Sequence, residues 1–240
     1  MILEVCANSY LSAIHAEEAG ANRIELCSEL AVGGITPSYG LIKQVTQVLS
    51  IPVFVLIRPR SGNFCYTQEE FEIMKHDIRL CKELGCSGIV SGVLHKDGTI
   101  DLERTKALVA LSKPLSFTFH RGFDGVPDPT EALADLIEIG VSRVLTSGQE
   151  VSAEQGMALL LKLRLMANNR INILPGGGIN PGNAPWFKQQ GFSEIHVSGT
   201  TVDVVNAPPK VPMNNKRLFD ETVHVYSSQN IIKQIVKAIK

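Results

Sequence analysis

The chain has 240 residues, 44% of them hydrophobic, and a net charge of −1 from 23 basic and 24 acidic side chains. That composition suits a packed core and offers no basic block for nucleic acid or an acidic membrane surface. No apolar run approaches the ~20 residues that span a bilayer, and no secretory leader is expected from MILEVCANSY, which lacks a basic start. The five cysteines (Cys6, Cys27, Cys65, Cys81, Cys86) form no C-x-x-C pair, so free thiols in a reducing cytoplasm are expected.

In chain order, residues 2–6 form a short apolar strand and 9–19 a helix closed by Gly20. Residues 22–27 are the next strand, with a Gly33-Gly34 loop after it, and the apolar spacing of 39–49 predicts a helix. The run PVFVLI at 52–57 is continuously apolar, as expected of a strand covered on both faces. A polar loop at 58–66 follows, and Thr67 then caps a helix that Gly85 closes. Further strands are predicted at 88–91, 115–119, 142–146, 171–174 and 194–197. The helices between and after them fall at 102–111, 130–139, 153–167, 184–190 and 231–239.

The eight strand starts are spaced by about 27 residues, against roughly 31 for a 250-residue barrel. Eight apolar strands alternating with helices predict a single-domain TIM (β/α)8 barrel over 1–240; a doubly wound open sheet is the alternative. The segment 202–229, with Pro208-Pro209 and Pro212, fits no βα unit and reads as a long irregular loop with a strand at 222–226.

A barrel of this kind does its chemistry at the C-terminal ends of its strands. Strand one brings Glu4 and Cys6 to one face by its period of two, and strand two brings Glu25 and Cys27. Strand three ends in Arg58 and Arg60, and strand five in His120 and Arg121 with Asp124 beyond. Strand six ends at Thr146 and Ser147, and strand eight at His196, Ser198 and Gly199. Ionisable groups inside apolar strands are costly to bury unpaired, so Glu4, Glu25, Arg58, His120 and His196 are expected to converge.

His120 beside Glu4, Glu25 or Asp124 suits general acid–base work near pH 7. Arg58, Arg60 and Arg121 suit a carboxylate or phosphate. After strand seven, Gly176, Gly177 and Gly178 precede a helix start at Asn180-Pro181, a pattern that holds anions on backbone N–H groups. With Thr146, Ser198 and Gly199 nearby, that places a phosphate in the loops after strands seven and eight. The plainer alternatives are a tight glycine turn, a structural ion-pair network and a satisfied interior histidine. Cys6 and Cys27 end adjacent strands, where they either share a soft metal or remain buried spectator thiols.

Seven stretches carry a resemblance: LEVC at 3–6, ANRIELC at 21–27, GGITPS at 33–38, IRPR at 57–60, TFHRGFD at 118–124, RVLTSG at 143–148 and PGGGI at 175–179. In this order, over about residues 2–200, the chain resembles the CutC family. Gly122 stands where that family usually has alanine, and the chain after Thr200 resembles it poorly. The resemblance implies a TIM barrel, a cytoplasmic copper-homeostasis role and copper binding. Cys6 and Cys27 then fit as ligands, since thiolates suit Cu(I). It names no reaction, so two readings stand: a Cu(I)-binding protein, or an enzyme acting on a small anionic metabolite. No organic cofactor is expected; a homo-oligomer is.

Overall fold

The structure, a computed structural model, describes residues 1–204, 210–211, 220 and 222–240. Eight parallel strands come first in each βα unit: β1 (Ile2–Ala7), β2 (Arg23–Leu26), β3 (Val53–Leu56), β4 (Gly88–Ser91), β5 (Ser116–Phe119), β6 (Arg143–Thr146), β7 (Asn172–Pro175) and β8 (Glu194–Val197). They pair in the order β7-β6-β5-β4-β3-β2-β1-β8, and a parallel bridge between Gly176 and His196 brings the two ends together. The fold is the TIM barrel.

The helices wrap the outside: α1 (Tyr10–Glu18), α2 (Tyr39–Val48), α3 (Gln68–Glu83), α4 (Leu102–Ser112), α5 (Pro129–Glu138), α6 (Met157–Ala167), α7 (Ala184–Gln189) and α8 (Gln229–Ile239). Their starts follow local chemistry. Ser9, Ser38, Asp101, Asp128 and Ser228 each accept a backbone N–H of the first turn. Thr67 and Glu70 bond reciprocally in a capping box at the start of α3.

The strands face two cores. Leu3, Val5, Ile24, Val55, Ile89, Phe117, Val144, Ile173 and Ile195 point outward and lock onto the helices. The alternate positions point into the barrel, where Cys6, Cys27, Phe54, Leu56 and Val90 form a small apolar cluster and Leu145 lines the cavity above. Polar and charged side chains fill the rest of the interior. This split is a direct consequence of the strand period of two.

Three local details differ from the sequence reading. Helix α6 begins at Met157 rather than residue 153, because Gly156 backs onto Gly148, where a Cβ on either glycine would collide with the other's backbone. Helix α7 begins at Ala184 and not at Asn180-Pro181. Asn180 instead makes a turn of its own, its Oδ1 accepting from the Gly182 N–H at 2.9 Å. The described ends of the segment expected to be irregular pair as an antiparallel ribbon, β9 (Thr200–Val204) with β10 (Val223–Ser227). The Pro208-Pro209 and Pro212 positions lie outside the described residues.

Candidate functional site

The barrel interior is built in layers. At the lower level, Arg23 bonds Glu4 through Nε and reaches Glu194 through Nη2 at 2.6 Å. Arg143 meets the other Glu194 oxygen at 3.4 Å and Thr118 Oγ1 at 3.3 Å. The Phe54 ring lies under both guanidinium groups, 4.8 Å from Arg23 Cζ and 4.9 Å from Arg143 Cζ. Gly88 makes room for that ring, since a Cβ there would sit 2.5 Å from it. Two carboxylates meet two guanidinium groups, so this layer is balanced.

Above it, Cys6 and Cys27 bring their Sγ atoms to 3.5 Å. His196 Nδ1 lies 2.8 Å from Glu4 Oε1 and 3.4 Å from Glu25 Oε2. Ligand atoms of Cys6, Glu25 and His196 lie within 4.8 Å of one another. The hydrogen bond with Cys27, together with burial, pushes the Cys6 thiol well above its usual pKa. Burial would lower His196, but its bonds to Cys6 and Glu4 and the carboxylates around it hold it well above its ordinary value. Burial also lifts Glu25 to about 7, with the Glu4 charge adding to it and His196 opposing. Glu4 stays ionised: burial works against it, yet the His196 bond and Arg23 carry it down to about 2.

Another wall of the site is cationic. Arg58, 5% exposed, donates Nη1 to the Val32 and Gly34 carbonyls and Nη2 to the Gly62 carbonyl. No carboxylate pairs with it among the described residues, and its buried Nε has no acceptor. His120, 4% exposed, accepts the Gly122 N–H on Nδ1 at 3.1 Å, and its buried Nε2 has no partner. Buried N–H donors without acceptors each cost about 1–3 kcal/mol, so both are costly to the isolated chain. The Phe64 ring covers both, 4.4 Å from the His120 ring and 5.1 Å from Arg58 Cζ.

A cavity of about 270 Å³ lies between these walls. Cys6, Glu25, Arg58, His120, Arg121 and His196 line it, as do Gly177, Gly178 and Ser198. Gly177 and Gly178 take φ of 108° and 72°, a left-handed backbone that favours glycine and turns the bare main chain onto the cavity. Glu4 lies below, reaching the site through His196.

Other expected site residues have different work. Arg60 is pinned beneath the 58–66 loop by Glu70 at 2.5 Å and the Cys65 carbonyl at 2.7 Å, and does not line the cavity. Asp124 faces the loop after β6, bonding Thr146 Oγ1, the Ser147 N–H and Arg121 Nε. It therefore positions Arg121, whose Nη2 also reaches Ser147 Oγ at 2.9 Å. Thr146 points outward with it. Gly176 sits in the bridge that closes the barrel, against Leu145 and His196, and Gly199 packs on Ile232 of α8.

Two sequence expectations change. The glycine run does not open a helix, so no helix dipole stands behind Gly176–Gly178. His120 is expected to exchange protons near pH 7, but burial, with the Arg58 charge adding to it, drops it to about 3. In the chain as it stands the ring is neutral at pH 7.

Arg143, Glu194 and Phe64 escaped the sequence reading. The first two were detectable, since each precedes a cavity residue (Leu145, His196) by two positions and so shares its face. Nothing in the spacing marks Phe64.

Comparison with known proteins places these residues in context. The CutC family model matches residues 1–201. A CutC protein of Chromobacterium violaceum is 47% identical over 198 residues, covering 82% of this chain and 80% of its own length. The human copper homeostasis protein cutC homolog is 49% identical over 198 residues, covering 82% of this chain and 72% of its own. The crystal structure of a copper homeostasis protein CutC from Streptococcus agalactiae superposes with a TM-score of 0.79 at 35% identity, over 82% of this chain and 98% of that one.

Proposed function

The chain belongs to the CutC family, and from that premise we propose that it is a cytoplasmic copper-homeostasis protein that holds Cu(I) between Cys6 and Cys27. The pair of buried sulfurs 3.5 Å apart carries this reading. Two thiols with an imidazole and a carboxylate at hand form a donor set whose soft members suit Cu(I). His196, on giving up its proton, would add a third ligand, with Glu4 orienting its ring from behind. Binding displaces thiol protons, and Glu25, lifted to about 7, stands next to Cys6 to take one up. Five free cysteines accord with a reducing compartment, and no described helix is long and apolar enough to cross a membrane.

The test is a Cu(I) titration of the reduced protein against a competing chelator. Wild type is expected to take one ion tightly. Cys6→Ser and Cys27→Ser are each expected to lose it, and His196→Ala to weaken it. Equal, weak uptake by all four proteins would refute direct copper handling.

A second reading, of an enzyme acting on a small anionic metabolite, is favoured by the cationic wall. Copper binding uses neither Arg58 nor His120. In this reading Gly177, Gly178 and Arg121 border the bound anion, and Glu25, lifted to about 7, moves the proton in place of His120. Turnover in a screen of phosphorylated and carboxylate metabolites, lost in Glu25→Gln, tests it.

A further inference from the structure

We propose that the cavity contains a receptor for the oxyanion end of a small metabolite, with Arg58 as its cation and His120 Nε2–H as its second donor. The proposal deepens the metabolite reading and rests on it for the identity of the ligand, although copper binding needs neither residue. Two independent observations carry it.

The first is charge. Every ion pair in the barrel interior is accounted for: Arg23 and Arg143 by Glu4 and Glu194, and His196 by Glu4 and Glu25. Arg58 is the exception. It is equally buried, yet among the described residues its guanidinium meets the carbonyl oxygens of Val32, Gly34 and Gly62, the Phe64 ring and the Tyr66 phenol, whose pKa is pushed up to about 12 by burial, and no carboxylate. Carbonyl dipoles orient a cation without neutralising it, and buried charges are otherwise found paired. The counter-ion is therefore a ligand, and it is an anion.

The second is hydrogen bonding. Because His120 Nδ1 accepts the Gly122 N–H, the single ring hydrogen of the neutral imidazole sits on Nε2. That group and Arg58 Nε–H are both buried without an acceptor, and both residues line the same cavity. A carboxylate or phosphate has lone pairs for both, whereas a cation would be repelled and a neutral ligand would leave Arg58 unbalanced. Arg121, 46% exposed and paired with Asp124, brings further guanidinium N–H groups to the edge of the cavity. Phe64 lies over both donors and holds bulk water off them, which strengthens attraction to an anion. A cavity of about 270 Å³ limits the ligand to a small metabolite.

The experiment is calorimetric titration of the reduced, metal-free, full-length protein at low salt with inorganic phosphate and, separately, with succinate. One anion per chain is expected, weakened about tenfold or more in His120→Phe and in Arg121→Ala. Arg58→Gln gives the largest loss if it folds; His120→Phe and Arg121→Ala carry the test if it does not. Phosphate binding that falls as the pH drops through about 7 identifies a phosphate ligand, since inorganic phosphate loses its dianion there, about a unit above a phosphate ester. Tighter, pH-independent succinate binding identifies a carboxylate. Absence of saturable one-to-one binding by either anion, or binding undiminished in His120→Phe and Arg121→Ala, would overturn the proposal. Anion binding in a chain that turns over no metabolite would overturn the enzyme reading alone; turnover of an anionic metabolite undiminished in His120→Phe and Arg121→Ala would overturn this inference alone.

Discussion

The lower and upper layers of the barrel interior contain similar residue types and differ in what is satisfied. Below, Glu4, Arg23, Arg143 and Glu194 form a closed set over the Phe54 ring. Above, a pair of thiols shares the cavity region with a cation that has no counter-ion among the described residues and a histidine N–H that has no acceptor there. Burial is nearly equal in the two layers. Burial therefore does not mark the site; incomplete pairing does. A closed layer stabilises one conformation, whereas an open one keeps affinity for something outside the chain.

The sharpest way to break this contrast is Arg23→Gln, which leaves Glu4 and Glu194 sharing too little positive charge in a dry interior. Removing one partner of a buried network typically costs about 3–5 kcal/mol. Denaturant unfolding is expected to show a loss of that size, and a loss under about 1 kcal/mol would remove the structural role given to the lower layer.

The upper layer is expected to respond to pH. His120 is lowered by burial, and further by Arg58, to about 3 from an ordinary value of 6.5. Below pH 6.5 the unfolded chain gains a proton that the folded chain refuses, so its stability contribution is complete above pH 6.5 and is lost as pH falls toward 3. His120→Gln is expected to flatten that part of the stability profile, as followed by thermal melts between pH 4 and 8. An unchanged slope would show that the imidazole is protonated in the fold.

The smallest effect is expected from Arg60. It is more than a third exposed and tied to Glu70 and loop carbonyls. Arg60→Ala is expected to cost less than about 1 kcal/mol and to leave Cu(I) and anion binding unchanged. A tenfold loss of anion affinity would return Arg60 to the site.

Much of this was legible in the chain. The eight strands emerged within a residue or two, because continuous apolar runs between capped helices leave few alternatives. The period of two placed Glu4, Cys6, Glu25 and His196 on inward faces, and strand adjacency brought Cys6 toward Cys27. The division of labour between Arg58 and Arg60 was not legible, since two arginines of one face separated by a proline look equivalent until a loop folds over them. Asp124 looked like a proton carrier for the same reason. Only the path of the β6 loop shows that its lone pairs are spent on Thr146, Ser147 and Arg121.

By itself, the sequence determined the barrel, its strand count and which side chains face inward, because those follow from local periodicity and capping. Tertiary structure decided which inward charges are cancelled and which remain open. Pairing depends on the last few ångströms between side chains of distant strands, such as Glu194 with Arg23 and Arg143. Protonation follows from that pairing and from burial: two interior histidines of one sequence end up with opposite character, His196 held charged by carboxylates and His120 held neutral by an apolar ring and a neighbouring cation.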